Sequence, residues 1–138
     1  MATRSDKSPG IGEIELLQTP SLPMTADAIL KDFTHYFGRM LGRRTIRTKS
    51  PFLYQAVVYT ARDRIMERWA RTRLAMERDH VRRTSYISLE FLMGRLLHNA
   101  LYSVGIEDET REALGRLGLE LETVFDRAPG ESGFRAWT

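Results

Sequence analysis

The stretch from Ser50 to about Glu77 limits what this chain can fold into more than any other. Ser50 followed by Pro51 is a helix start. A serine hydroxyl can accept from an amide of the first turn, and proline at the first helical position gives up an amide that would lack an intrahelical partner anyway. Beyond it Leu53, Tyr54, Val57, Val58, Ala61, Ile65, Met66 and Trp69 recur at the helical period. Arg62, Asp63, Arg64, Glu67 and Arg68 fill much of the other side. The spacing predicts one long amphipathic helix to about Glu77.

The flanks fit around it. Residues 1–23 are mostly polar, are punctuated by Pro9, Gly10, Gly12, Pro20 and Pro23, and read as a mobile arm. Thr25 can cap a helix with Asp27 in its first turn. Ile29, Leu30, Phe33, Phe37, Met40 and Leu41 then form one helical face, and Gly42 sits where a left-handed terminator belongs. A basic connector, residues 43–49, leads to Ser50. After Arg83 the texture changes: residues 84–91 are rich in β-formers and predict a strand over about Ser85–Leu89. From Gly94 to about Val104 a further helix is expected, with Leu96, Leu97, Ala100, Leu101 and Val104 buried and Gly105 as its stop. Glu107–Leu117 reads as a short helix with an acidic first turn, closed by Gly118. Another turn or two is expected over Glu120–Asp126, and residues 127–138 read as a loop or disordered tail. The expectation is a mainly α-helical chain with one short strand. A lone strand cannot satisfy its own backbone groups, so its sheet partners are expected in sequence outside this chain.

Composition narrows the classes. The 138 residues suffice for one modest domain, and 42% hydrophobic content supports a packed core rather than general disorder. The absence of cysteine excludes a disulfide framework and thiolate metal sites, and fits a reducing, cytoplasmic setting. No stretch approaches the ~20 apolar residues needed to cross a bilayer. The net charge of +3 is mildly basic. The cationic stretches are Arg43–Lys49 and Arg71–Arg83; Glu77 and Asp79 interrupt the longer one and no recognised nucleic-acid motif accompanies either, so solvated helix faces are favoured over a nucleic-acid surface.

Catalytic constellations are mostly missing. His35, His80 and His98 fall on separate elements without metal-ligand spacing, and no metal site is expected. There is neither a Gly-rich phosphate loop nor a Gly-x-Ser-x-Gly elbow. Gly94-Arg95, opening a helix after the strand, could face an anion, although a simple turn is the favoured reading. Glu90, at the carboxyl end of the predicted strand, either bonds polar ligand groups or pairs with an arginine such as Arg95.

The run Ser88-Leu89-Glu90-Phe91-Leu92-Met93-Gly94-Arg95, preceded by Tyr86-Ile87, resembles the Ser-(Leu/Met)-Glu-Phe-x-x-Gly-Arg signature of glycogen, starch and maltodextrin phosphorylases. Tyr54-Gln55-Ala56, Arg62-Asp63-Arg64, Glu67-Arg68-Trp69 and Arg71-Thr72 resemble that family's long second helix. Asn99 and the Leu114–Leu119 turn agree too, so the resemblance runs from about Ile29 to Asp126.

What the resemblance implies is the amino-terminal part of an α/β enzyme with two Rossmann-like domains (GT-B type). Residues 1–23 would be its arm, 24–126 a partial amino-terminal domain, and 127–138 a tail foreign to the family. Such enzymes depend on pyridoxal phosphate. They use inorganic phosphate to release glucose 1-phosphate from α-1,4-glucans, and act as homodimers in the cytoplasm. Glu90 would match a glutamate at the cleft edge, and Leu92 a position beside the cofactor. Arg73, Leu74 and Glu77 stand where animal members bind AMP, so that regulatory site is expected to be unformed. The family's glycine-rich loop, cofactor lysine and phosphate-binding residues have no counterpart here, so the chain is expected to be inactive alone. Codons for Ser132-Gly133-Phe134-Arg135 read one base later can encode Ala-Gly-Leu-Gly, as a frameshift would produce, although the next shifted codon is not asparagine. The alternative is a short helical module that binds a partner, a full-length phosphorylase being one candidate.

Overall fold

The computed structural model describes residues 21–47, 50–82, 84–87 and 96–126. Five α-helices follow in order: α1 (Ala26–His35), α2 (Pro51–Arg78), α3 (Leu96–Val104), α4 (Glu107–Gly115) and α5 (Leu121–Phe125). A π-helical segment, Tyr36–Met40, extends α1. The described residues are therefore mainly helical and contain no strand.

Local chemistry explains the boundaries. Thr25 Oγ1 accepts from the Ala28 amide at 3.4 Å and opens α1, with Asp27 in the positive first turn. Ser50 takes the extended conformation of a cap before Pro51, but its side chain makes no capping bond. Four helices end in one way. Gly42, Gly105 and Gly118 adopt φ of +63°, +76° and +71°, and His80 adopts +47° after α2. The following amide reaches back: Ile106 to Leu101 O (3.0 Å), Leu119 to Leu114 O (3.0 Å) and Val81 to Met76 O (3.3 Å). This Schellman closure satisfies carbonyls that the helix leaves open, and the left-handed residue it needs is cheapest as glycine. At Gly42 the return bond, from Arg43 to Phe37 O, is one residue longer because the π-segment has widened the last turn.

α1 packs chiefly on α4 and α2; the first half of α2 also contacts α3 and α5. Ile29, Phe33, Leu53, Val57, Leu101, Ile106, Leu114 and Val124 lie within one shared core. Ile106 and Leu119 belong to it because each Schellman turn drives the apolar residue after its glycine inward.

Several expectations need correction. Residues 85–87 are the described part of the expected strand, and they carry no regular structure; Tyr86 and Ile87 are each 87% exposed. An extended segment with no neighbour to bond has nothing to make it a strand. Ser88 and Leu89 lie outside the described residues. Met40, placed on the α1 face by its spacing, is 60% exposed, because the extra π-residue rotates it away. Leu96 is exposed and Ala100 half-buried, so the buried stripe of α3 is Leu97, Leu101 and Val104. On α2 the stripe stops at Arg64, leaving Ile65, Met66 and Trp69 exposed. The part of α2 beyond Glu67 buries no side chain. Residues 21–23, the described end of the expected arm, are bonded to α2.

Candidate functional site

The residues marked by the signature, Glu90, Leu92, Gly94 and Arg95, lie outside the described residues, so none can be brought into a described site. The three histidines are far apart in role. His35 meets Tyr36 edge to face, and His80 fills the left-handed position after α2. The His98 ring packs on Phe125, with Nε2 3.2 Å from Glu107 Oε1. Among the described residues no group of three or more metal-ligating side chains gathers.

A pocket opens into the core between α1, α2, α3 and α4, lined by Leu30, Phe33, Val57, Leu101 and Leu114 among others. Its polar members, Thr60 and Thr110, have already committed their hydroxyls to the carbonyls of Ala56 (2.9 Å) and Ile106 (2.6 Å). With no free polar group to orient a ligand, it is a seam in the packing rather than a binding site.

The polar constellation that does form lies along α2. Arg64 is fully buried (0% exposed) on the stripe of Leu53, Val57, Thr60 and Ala61. Its Nη2 donates to Pro23 O at 2.8 Å and lies 2.9 Å from Asp32 Oδ2 on α1, and its Nη1 donates to Thr60 O at 3.0 Å. A buried guanidinium persists only when its donors are engaged in this way, and here each nitrogen is. One turn further on, Glu67 Oε2 accepts from the Leu22 amide at 3.0 Å. That amide, with lesser help from Ser21, Arg71 and Arg64, holds the Glu67 carboxyl below its usual range although burial opposes it. On the neighbouring face Tyr36 donates its phenol proton to Asp63. Burial first, and then that carboxylate, push the Tyr36 phenol up to about 12.

Sequence reasoning counted Arg64 among the charges of the solvated side. The missed signal is its register: Arg64 falls three and four residues after Ala61 and Thr60, on the buried face rather than opposite it. The constellation ties residues 21–24 and α1 to α2. It holds neither a nucleophile nor an acid–base pair opening to a cleft, so its chemistry is structural.

The residues matching the AMP site stand on the outer half of α2, where Leu74 is exposed and Arg73 pairs with Glu77 at 3.0 Å. The described residues also offer no fit for pyridoxal phosphate, because their single lysine, Lys31, is exposed on α1 away from the core pocket.

No protein-family model matches the chain. Comparison with individual proteins is more informative, and the similarities are to one class of enzyme, the glucan phosphorylases. The chain is 34% identical over 105 residues to glycogen phosphorylase 2 of Dictyostelium discoideum, a match covering 76% of this chain and 11% of that protein. It is 31% identical over 104 residues to the glycogen phosphorylase of Pasteurella multocida, covering 75% of this chain and 13% of that one. It is also 37% identical over 84 residues to the H isozyme of α-glucan phosphorylase from Vicia faba. The chain is a segment of the glycogen (α-glucan) phosphorylase family, in keeping with an amino-terminal position in it. It spans between a tenth and a seventh of the length of these relatives.

Proposed function

We propose that this chain is an amino-terminal fragment of an α-1,4-glucan phosphorylase, an enzyme that uses phosphate to release glucose 1-phosphate from glycogen or a related glucan. The observation that carries this reading is the similarity to named glycogen phosphorylases over 76% of the chain. The signature run from Ser88 to Arg95 supports it. In the whole enzyme, residues 24–126 are part of an amino-terminal domain of GT-B type. Glu90 lies at the edge of the substrate cleft and Leu92 beside the cofactor. The pyridoxal phosphate, whose phosphate group assists proton transfer, is held by residues outside this chain, and the enzyme is a cytoplasmic homodimer. The role of the described helices is to build and brace one side of that domain. Among the described residues no helix is long and apolar enough to cross a membrane.

By itself the chain has no phosphorylase activity on this reading: with maltodextrin and phosphate, the purified protein releases no glucose 1-phosphate. The deciding experiment is to sequence the gene and several hundred bases past codon 138. A shifted frame that carries the family's glycine-rich loop and a later cofactor lysine supports the reading. An unrelated sequence overturns it in favour of a short helical interaction module.

A further inference from the structure

Residues 21–24 approach α1 along the side of α2, and α2 holds them chiefly by their backbone, with the Ser21 side chain adding a bond to Glu67. The Leu22 amide donates to Glu67 Oε2 at 3.0 Å. The carbonyl of Pro23, the residue after Leu22, accepts from Arg64 Nη2 at 2.8 Å and from Arg64 Nε at 3.3 Å. Residues 64 and 67 are one helical turn apart and share a face, so a single stretch of α2 grips the peptide groups on either side of the Leu22–Pro23 bond. Both grips involve an ionised side chain, which makes them stronger than bonds between neutral groups. The guanidinium is also fixed in advance, by Thr60 O at 3.0 Å and Asp32 at 2.9 Å, and loses little freedom on taking the carbonyl. Met24 adds an apolar contact by packing at the margin of the core.

We propose that Glu67 and Arg64 form a two-point latch on the strap Ser21–Met24. The segment leading into α1 thereby has two states, docked on α2 and released, while the helical core stays folded. Local openings of this kind fall where few apolar contacts hold a segment and its attachment is mainly hydrogen bonding. The strap meets that description, and the core, with the Schellman-closed ends of α3 and α4, does not. The latch operates whatever chain lies beyond residue 138, so the inference stands apart from the phosphorylase reading.

Amide hydrogen exchange, followed by NMR on the full 138-residue chain, tests it by comparing Leu22 with Leu119, whose amide is bonded to Leu114 O at the far end of α4. Glu67→Ala is expected to speed exchange at Leu22 about tenfold or more and leave Leu119 unchanged. Glu67→Gln keeps an acceptor oxygen and is expected to fall between that variant and the parent. Arg71→Ala removes the ion pair at the other oxygen of the same carboxylate, Oε1, but leaves Oε2 to accept from Leu22, and is expected to speed exchange at Leu22 less than Glu67→Ala does. No change at Leu22 in Glu67→Ala overturns the proposal. So does an equal rise at Leu22 and Leu119, because the strap would then open only when the whole core unfolds.

Discussion

Arg64 and Tyr36 show how two polar side chains are used inside a small helical core. Arg64 occupies a position where an apolar residue would be expected, and it compensates by bonding two carbonyls and Asp32. Arg64→Met keeps much of the volume but strands those acceptors. Because Asp32 is partly exposed and can regain water, the expected loss is about 3 kcal/mol, toward the lower end for breaking a buried pair, read from urea denaturation. Tyr36 gives a test by pH. Its phenol is raised from 10.0 to about 12 in the folded state, so its contribution is fully present below pH 10 and is lost as pH rises from there through about 12. Tyrosine absorbance is expected to show a late-titrating component that is lost in Tyr36→Phe. Arg64 was legible in the sequence as to position but not as to burial. Its charge argued for solvent while its register argued for the core, and only the strap and Asp32 decided between them.

At the scale of elements, helix ends were the most legible feature, because a left-handed residue and a back-reaching amide are local chemistry. Gly105 is a clear case: no heavy atom lies within 4 Å of where a Cβ would stand, so Gly105→Ala suffers only from its φ of +76°. The expected cost is about 1 kcal/mol in thermal or urea unfolding. The converse holds at His80, the same position after α2 with a side chain present. His80→Gly is expected to strengthen the last turn of α2 by about 0.5–1 kcal/mol, seen as slower amide exchange there. The outer half of α2 was the least legible element. Ile65, Met66 and Trp69 continue the apolar period, yet none of them joins the core, and Trp69 is 55% exposed with the Arg73 guanidinium over its ring. Trp69→Ala should therefore change the stability of this chain by no more than about 0.5 kcal/mol. A larger loss in the same melt would mean that the face is covered.

For the molecule as a whole, the pattern of residues determined which of the described stretches are helical, roughly where each stops, and which family the chain belongs to. Those properties follow from caps, left-handed glycines, the helical period and a run of signature residues, all of which act over a few neighbours. The tertiary structure alone decided which part of each apolar stripe became core. Packing α1 on α4, and the first half of α2 on α1, α3 and α5, buries Leu53, Val57 and Arg64 and leaves the rest of α2 outside. It also decided that residues 84–87 have no strand, and that residues 21–24 are a docked strap rather than part of a loose arm. The physical reason is the same in each case. Periodicity states which residues could face a neighbour, but burial and strand pairing require that the neighbour be present. That depends on contacts between residues far apart in the chain, such as Arg64 and Pro23, which no local pattern encodes.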